Sequence, residues 1–386
     1  MNAIVLFVLL VGLVFWQAVR QLKRRGMDRW IIPYAFGVSR RPPIRRDRPI
    51  HVLLCIADHF EPQFGGANHA QAMERVQIWK SRYPAAFSGF RDSDGRTPRQ
   101  TFFYPMEMYD SEEVSALTEL CQSGFGEVEA HLHHDGDTPD SLRKTLLEFK
   151  ETFGKKHRLL SRNRVTGELA YGFIHGNWAL CNSHPEGRWC GVNDELTILR
   201  ETGCYADFTF PSAPSLTQTQ KINSIYYAQS NPDFAGAHGR GIDIGVGSKP
   251  KDSLLLFQGP LLLDWSAKKW GCLPAVENAC LQHKQAATEA RLWLWLKAGV
   301  QVPARPDWNF VKLHTHGAPE KNHDALLGEP MISFHRSLAK LAESNSNFKF
   351  HYITAREMYN LAKAAEGGWK GSVFDALDHE LVSNIK

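Results

Sequence analysis

The chain has 386 residues, of which 43% are hydrophobic and 22% are charged. This composition excludes a disordered chain and a collagen-like repeat, and its seven cysteines, with no Cys-x-x-Cys pair, are typical of buried thiols in a reducing compartment. The net charge is +4, but residues 1–50 hold ten Lys and Arg against two Asp, so the rest of the chain is net acidic. An acidic body excludes nucleic acid as the partner.

The chain begins with an apolar segment. Residues 3–19 read AIVLFVLLVGLVFWQAV and contain no charged side chain, and their number is near the shortest that spans a bilayer. The uncharged start, with Trp16 and Gln17 just before Arg20, favours an uncleaved anchor over a cleaved signal peptide. We therefore expect this segment to stay attached and to hold the protein at a membrane.

Ten basic residues follow and set the expected orientation: Arg20, Lys23, Arg24, Arg25, Arg29, Arg40, Arg41, Arg45, Arg46 and Arg48. Loops this basic stay in the cytoplasm. The expectation is a single-pass protein of a bacterial-type inner membrane, with its catalytic body in the cytoplasm. The predicted domains are a membrane anchor at 1–22, a basic, proline-containing linker at 23–49 and the body at 50–386.

The body alternates strands and helices. Its first strand is a nearly continuous apolar run, typical of a parallel strand covered on both faces. The pattern predicts strands at 50–57, 101–104, 127–132, 171–174, 205–210, 254–257, 310–313 and 348–352. It predicts helices at 68–87, 110–122, 138–153, 193–201, 276–296 and 331–344, and one that starts at 354. About seven such units in one run predict an α/β barrel, closed or nearly so.

Polar clusters follow four of the predicted strands. In a parallel α/β barrel the carboxyl ends of the strands meet on one face, where the chemistry is done. These ends carry Asp58-His59-Phe60-Glu61, His131-Leu132-His133-His134-Asp135, His175-Gly176-Asn177-Trp178 and His314-Thr315-His316. Cys181 and Cys190 are too isolated in the sequence to indicate a metal site.

The cluster at 131–135 is the strongest indication of a metal. Four His and Asp side chains in five residues have little use in a core, where each would need a partner. His131 and His133 project to one side of a strand, which suits a divalent metal with Asp58 as oxygen donor. The alternative ligand pair is His131 with Asp135, and the sequence does not decide between the two pairs.

These segments, in this order, resemble the polysaccharide deacetylase family (NodB-homology, carbohydrate esterase type) over about residues 50–365. Members are metal-dependent hydrolases on a distorted (β/α)7 barrel. The family's first motif is an Asp pair, of which Ala57-Asp58-His59 keeps one. Either Asp58 is the ligand and the base lies elsewhere, or Asp58 is the base and His59 binds the metal. The second motif resembles 127–135, where the family's second histidine position falls on Asp135.

Two further motifs extend the resemblance. The segment around His175 and Trp178 is similar to the family's third, substrate-side motif, without its arginine. Leu313-His314-Thr315-His316 is similar to the fifth motif, which in the family supplies the catalytic acid. The resemblance implies that His316 is the acid and that His175, Trp178 and His314 contact the substrate.

The resemblance implies a carbohydrate deacetylase that hydrolyses a C–N bond. A bound divalent metal, most favourably Zn²⁺ with Co²⁺ or Ni²⁺ as alternatives, would hold the water and the acyl oxygen. Asp58, or Glu61 if Asp58 is engaged with the metal, would take the water proton, and His316 would protonate the departing amine. An N-acetyl or N-formyl sugar would become an amino sugar, on a lipid-linked or nucleotide-linked glycan precursor.

Two other function classes fit part of the pattern. Amidohydrolase and PHP-type metal phosphoesterases also use His-x-His pairs, although theirs lie on the first strand. A non-catalytic barrel that binds glycan or metal would account for the missing Asp and Arg. Cleavage of a phosphoester would favour the first alternative, and metal binding without turnover would favour the second.

Overall fold

Two helices precede the body. The computed structural model describes residues 3–38, 44, 46–245, 247, 249–269 and 273–385. Helix α1 (Ala3–Arg24) has 22 residues, which at the α-helical rise gives about 33 Å. It is exposed along its length and is long and apolar enough to cross a membrane. Helix α2 (Met27–Val38) follows at once, inside the range predicted as a linker.

Helix α2 is docked on the body. Trp30 is fully buried in an apolar cluster with Ala213 and Leu261. Gly26, between the two helices, has φ +59°, and a Cβ there would lie 2.4 Å from the carbonyl oxygen of Ser215. Only glycine fits this approach, because a side chain would clash with the backbone and disfavour the left-handed conformation. The base of α1 therefore touches the body directly.

The described residues of the body form fifteen strands and eight α-helices. The strands are β1 (Ile50–His59), β2 (Gln100–Pro105), β3 (Gly126–Leu132), β4 (Ser161–Asn163), β5 (Leu169–His175), β6 (Cys204–Asp207), β7 (Ile225–Ala228), β8 (Ile242–Asp243), β9 (Leu254–Phe257), β10 (Leu262–Lys269), β11 (Leu273–Glu277), β12 (Cys280–Leu281), β13 (Trp308–Thr315), β14 (Phe348–Tyr352) and β15 (Leu381–Val382). The helices are α3 (His69–Phe87), α4 (Ser111–Leu120), α5 (Pro139–Glu151), α6 (Glu195–Thr202), α7 (Glu289–Leu296), α8 (His323–Leu327), α9 (Glu329–Ser344) and α10 (Ala355–Glu366).

A large, mostly parallel sheet organises these elements. Its main path runs β12-β13-β1-β2-β3-β5-β6-β9-β7-β8, and β14 pairs with the first half of β1. Strands β10 and β11 form a separate antiparallel hairpin. The prediction of an α/β fold with one N-terminal apolar helix is therefore confirmed.

Within the described residues the sheet is not closed, so the predicted (β/α)7-type barrel is not formed. The path ends at β12 on one side and at β8 on the other, and these two strands do not pair with each other. Lys312 of β13 reaches across instead, and its ammonium group donates hydrogen bonds to the carbonyl oxygens of Phe208 and Phe210. The Lys312 side chain, and not strand pairing, thus connects β13 to the segment that follows β6.

Both faces of the sheet are covered. Val52, Leu54 and Ile56 of β1 belong to the core under α3, α4 and α5, whereas Leu53 and Cys55 belong to a second core shared with α10. This alternation is what a doubly covered parallel strand requires. All residues of α10 are buried, and its apolar side chains belong to this second core.

Most predicted elements are present, with one clear error. The apolar pattern at 276–296 predicted one long helix, but only Glu289–Leu296 is helical and the first part forms the end of β11 and β12. Thr288 starts the helix, because its side chain accepts a hydrogen bond from the backbone N–H of Arg291. Before it, Ala279 has φ +63°, which interrupts any helix.

A buried ion network fixes α10. Thr354 and Glu357 form a capping box, and Glu357 also pairs with Arg96 and Arg99 from the segment before β2. Burial raises the pKa of Glu357, but the charges of Arg96, Arg99 and Arg356 outweigh this and lower it from 4.5 to about 2. The network therefore stabilises the fold most when Glu357 is ionised.

Glu357→Gln should lower the free energy of unfolding near neutral pH by about 3 to 5 kcal/mol, because it leaves buried arginines without their partner. Because the folded pKa of about 2 lies below 4.5, the stabilisation is complete above 4.5 and is lost as the pH falls from 4.5 towards 2. Denaturant unfolding of the full chain in detergent, at a series of pH values, measures this. The gap between wild type and variant should narrow over that range, and a constant gap would contradict the assignment. Glu329→Gln, whose pair with Arg336 is exposed, is the control.

Candidate metal centre

The carboxyl ends of the parallel strands meet at one level. Asp58 of β1 is in register with Thr315 of β13, and His131 of β3 with Ile174 of β5. The polar clusters that follow β1, β3, β5 and β13 therefore lie at one end of the sheet, as predicted. We call this end the mouth.

Three buried side chains form the centre of the mouth. His59, Glu61 and His131 offer ligand atoms that all lie within 4.8 Å of one another, and we call them the trio. Nε2 of His131 lies 3.0 Å from Oε1 of Glu61, and the rings of His59 and His131 are 4.8 Å apart. The Nδ1 atoms of both histidines are buried without a hydrogen-bond partner.

Electrostatics keep Glu61 ionised. Burial raises its pKa, but the contacts with His131 and His133 outweigh burial and lower it well below its usual range. Burial also lowers the pKa of His59 well below its usual value, with the neighbouring His316 and His131 adding to the effect. One carboxylate and two imidazoles are a donor set suited to a divalent metal.

His133 lies at the edge of the trio rather than within it. Its Nε2 is 3.4 Å from Oε1 of Glu61, and its Nδ1 is 2.6 Å from Oε1 of Glu107. Burial lowers the pKa of His133, but the two carboxylates outweigh it and raise the pKa to about 9. The structure therefore places His133 as a protonated partner of Glu61 and Glu107.

The two aspartates predicted as ligand candidates lie outside the trio. Asp58 is fully buried, and its carboxylate accepts hydrogen bonds from the backbone N–H of Gly317, at 2.6 Å, and from Nε2 of Gln100. Burial raises the pKa of Asp58 to about 8. Asp135 accepts a hydrogen bond from the backbone N–H of Trp189, at 2.6 Å. Glu61, predicted as an alternative base, is the carboxylate that contacts the histidines.

His316 borders the trio. Its ring lies 4.7 Å from the ring of His59, with Phe64 at 6.2 Å and Trp178 at 6.3 Å. Burial lowers its pKa. Its twin His314 is buried within β13, where its backbone N–H donates to the carbonyl oxygen of Ala279. The structure thus separates the two histidines, because the strand ends between them at Thr315.

His175 lies in a second buried group. It stands with His134, Cys190 and Glu195, whose ligand atoms again lie within 4.8 Å of one another. The sequence pattern did not predict this group, and Cys190 was expected to be too isolated for a metal site, because Cys190 lies in an irregular segment whose path no periodicity reveals. Two further groups of ligand type are His69 with Asp110 and Glu113, and Asp92 with Asp94 and His351.

No protein-family model matches the chain, and no curated protein matches it. The resemblance to polysaccharide deacetylases therefore rests on the strand-end motifs. The described residues contain several buried groups that could hold a metal ion, of which the trio lies at the centre of the mouth.

His131→Ala should reduce bound Zn²⁺ by one equivalent per chain, because a site with three protein ligands cannot easily spare one. Elemental analysis of the full chain, purified in detergent and dialysed against a defined Zn²⁺ buffer, measures this. Asp135→Asn is the matched control and should keep full occupancy, since Asp135 contacts Trp189 instead of the trio. Loss of metal in Asp135→Asn with retention in His131→Ala would reverse the assignment.

Proposed function

We propose that the protein is a metal-dependent hydrolase that removes an N-acetyl or N-formyl group from an amino sugar of a membrane-bound glycan precursor. The observation that carries the proposal is the trio of His59, Glu61 and His131 beside His316 at the mouth. Three protein ligands leave a fourth position for water, as in catalytic zinc sites. A proton donor beside that position is what amide hydrolysis requires.

The metal would be Zn²⁺, with Co²⁺ or Ni²⁺ as alternatives, and when bound it would lower the pKa of water and polarise the acyl carbonyl. Glu61 is the only carboxylate of the trio: one of its oxygens would bind the metal, and the other would accept the water proton. His316 is in ring contact with His59, as His131 is, and would deliver a proton to the departing amine. The C–N bond breaks as that proton arrives, and the acyl group leaves as acetate or formate.

Asp58 acts as a positioning residue in this proposal. Its carboxylate holds the backbone N–H of Gly317, the residue directly after His316. A Cβ at position 317 would lie 2.1 Å from Oδ2 of Asp58, so glycine is required for this contact. Asp58 thereby fixes the turn that presents His316 to the trio.

Aromatic side chains would border the sugar. Trp178 lies 6.0 Å from His59 and 6.3 Å from His316, and Phe64 stands near His316. Aromatic rings offer broad apolar faces at low entropic cost, which suits the C–H face of a sugar ring. Trp178 is held at φ +57°, an unusual conformation for a bulky residue that the surrounding structure must maintain.

The position of the membrane helix favours a lipid-linked substrate over a nucleotide-linked one. Gly26, at the base of α1, contacts Ser215, and Trp30 packs on Ala213 and Leu261. These contacts fall in the segments that follow the carboxyl ends of β6 and β9, on the same side of the sheet as the mouth. A substrate carried by a membrane lipid would meet the mouth without leaving the bilayer surface.

His316→Asn should leave metal content unchanged and reduce turnover by roughly 10² to 10⁴, the usual contribution of a general acid. Release of acetate or formate from a panel of N-acetyl and N-formyl amino sugars, free and lipid-linked, is the assay. His314→Asn is the matched control and should keep near-normal turnover.

A loss confined to His314→Asn would move the acid role to that residue. Normal turnover in both variants would exclude a histidine acid from this strand end. Phosphoester cleavage by the same preparation would favour the phosphoesterase class, and metal binding without turnover on any substrate would favour the non-catalytic class.

For the topology, we propose that α1 remains attached and that the body is cytoplasmic, because ten basic residues follow the apolar segment. A fluorescent protein fused to the C-terminus in a bacterial host should therefore fold and fluoresce in the cytoplasm. Alkaline phosphatase at the same position should be inactive, and an active fusion would contradict the proposal. Immunoblotting for a fusion of full length checks that α1 is retained.

A further inference from the structure

A second buried group of ligand-type side chains lies beside the trio. His134 follows β3, His175 ends β5, Cys190 lies in the segment between β5 and α6, and Glu195 is the first residue of α6. All four are buried, and one ligand atom from each lies within 4.8 Å of the others. We call them the quartet.

We propose that the quartet is a structural zinc site, separate from the trio and independent of the hydrolase function. Four protein ligands of the His2CysGlu type fill a tetrahedral shell and leave no position for water, which distinguishes structural from catalytic zinc. Ligand atoms around such an ion lie roughly 3.4 to 3.8 Å apart, given metal distances of about 2.0 to 2.3 Å. The quartet needs only a small contraction to reach this spacing.

The charges of the quartet match a divalent cation. A thiolate, a carboxylate and two neutral imidazoles carry two negative charges, so a bound Zn²⁺ makes the buried group neutral. Glu195 is completely buried, and its Oε1 lies 3.3 Å from Nε2 of His134. A buried carboxylate is costly unless it is paired, and a metal ion supplies that pairing.

The surroundings of Cys190 suit a metal-bound sulfur. The backbone N–H groups of Asn182 and Val192 donate to its Sγ at 3.3 and 3.4 Å. Hydrogen bonds of this kind stabilise the negative sulfur and are a regular feature around metal thiolates. The Sγ also lies 3.4 Å from Oε2 of Glu195, within the group.

The other ligands also have outer partners of the expected type. Nδ1 of His134 lies 3.0 Å from Oδ2 of Asp137 and its Nε2 lies 3.3 Å from Oε1 of Glu195, so the ring stands between two carboxylates, although Nδ1 makes no hydrogen bond. Histidines that bind zinc are commonly oriented by a carboxylate in this way. Glu195 accepts a hydrogen bond from the backbone N–H of Cys181 at 2.6 Å. His175 is fully buried, and its Nε2 has no hydrogen-bond partner.

The segment between β5 and α6 explains what such a site would stabilise. It has little regular structure and holds four non-glycine residues at positive φ: Trp178, Cys181, Asn182 and Trp189. Such conformations cost free energy and persist only where neighbouring contacts impose them. An ion ligated by Cys190 and Glu195 on one side and by His134 and His175 on the other would tie this segment to the sheet and so hold Trp178 at the mouth.

Cobalt substitution distinguishes the two groups, because only the quartet contains a thiol. The full chain in detergent, stripped and reloaded with Co²⁺, should bind two equivalents and show a thiolate-to-cobalt charge-transfer band in the near ultraviolet. Cys190→Ser should lose the band and one equivalent. His131→Ala should lose one equivalent and keep the band. Cys121 is a buried cysteine at the end of α4, and Cys121→Ser should keep both equivalents and the band.

Absence of the band in cobalt-loaded wild type would overturn the proposal, whether or not any variant folds. A band that survives Cys190→Ser would also overturn it and leave His134 and Glu195 as a simple ion pair. A band present in a protein without hydrolase activity would leave the quartet supported and count against the proposed function alone.

Discussion

The burial of β1 on both faces and along both edges is the constraint on which the rest of the structure depends. Its ladder to β13 runs from His51 to Asp58, while its other edge is shared by β14 and β2. A one-residue slip would move every side chain of β1 to the opposite core. The register is therefore fixed, and with it the positions of Asp58, His59 and Glu61 at the strand's end. His59 and Glu61, two of the three residues of the trio, are therefore positioned by the most constrained strand of the sheet.

Five buried glutamates fall into two groups by their partners. Glu127, Glu277 and Glu357 face arginines. At the mouth, Glu61 and Glu195 face histidines. A guanidinium group is always charged and has no acceptor, so it can only form an ion pair, whereas a neutral imidazole can bind a cation. The chain thus uses one pairing to hold its elements together and the other where chemistry or metal is expected.

The sequence predicted those parts of the fold that depend on local signals. The apolar run of β1 and the capping box at Thr354 indicated a strand and a helix that the structure contains. The mouth was predictable because parallel strands bring their carboxyl ends together. The failures involve partners that lie outside the segment itself: β10 pairs with β11, β7 pairs with β9, and His134 meets Glu195 from 61 residues away. Periodicity within a window carries no information about such partners.

The short spacing between His131 and His134 restricts insertions and deletions at the end of β3. These residues are three apart, yet one belongs to the trio and the other to the quartet, so a single turn of chain at the end of β3 serves two buried groups. Most loops of a protein accept insertions and deletions, but here a change of one residue would pull a ligand out of one group or the other. The length of this segment should therefore be invariant among related chains, even where the residues around it drift.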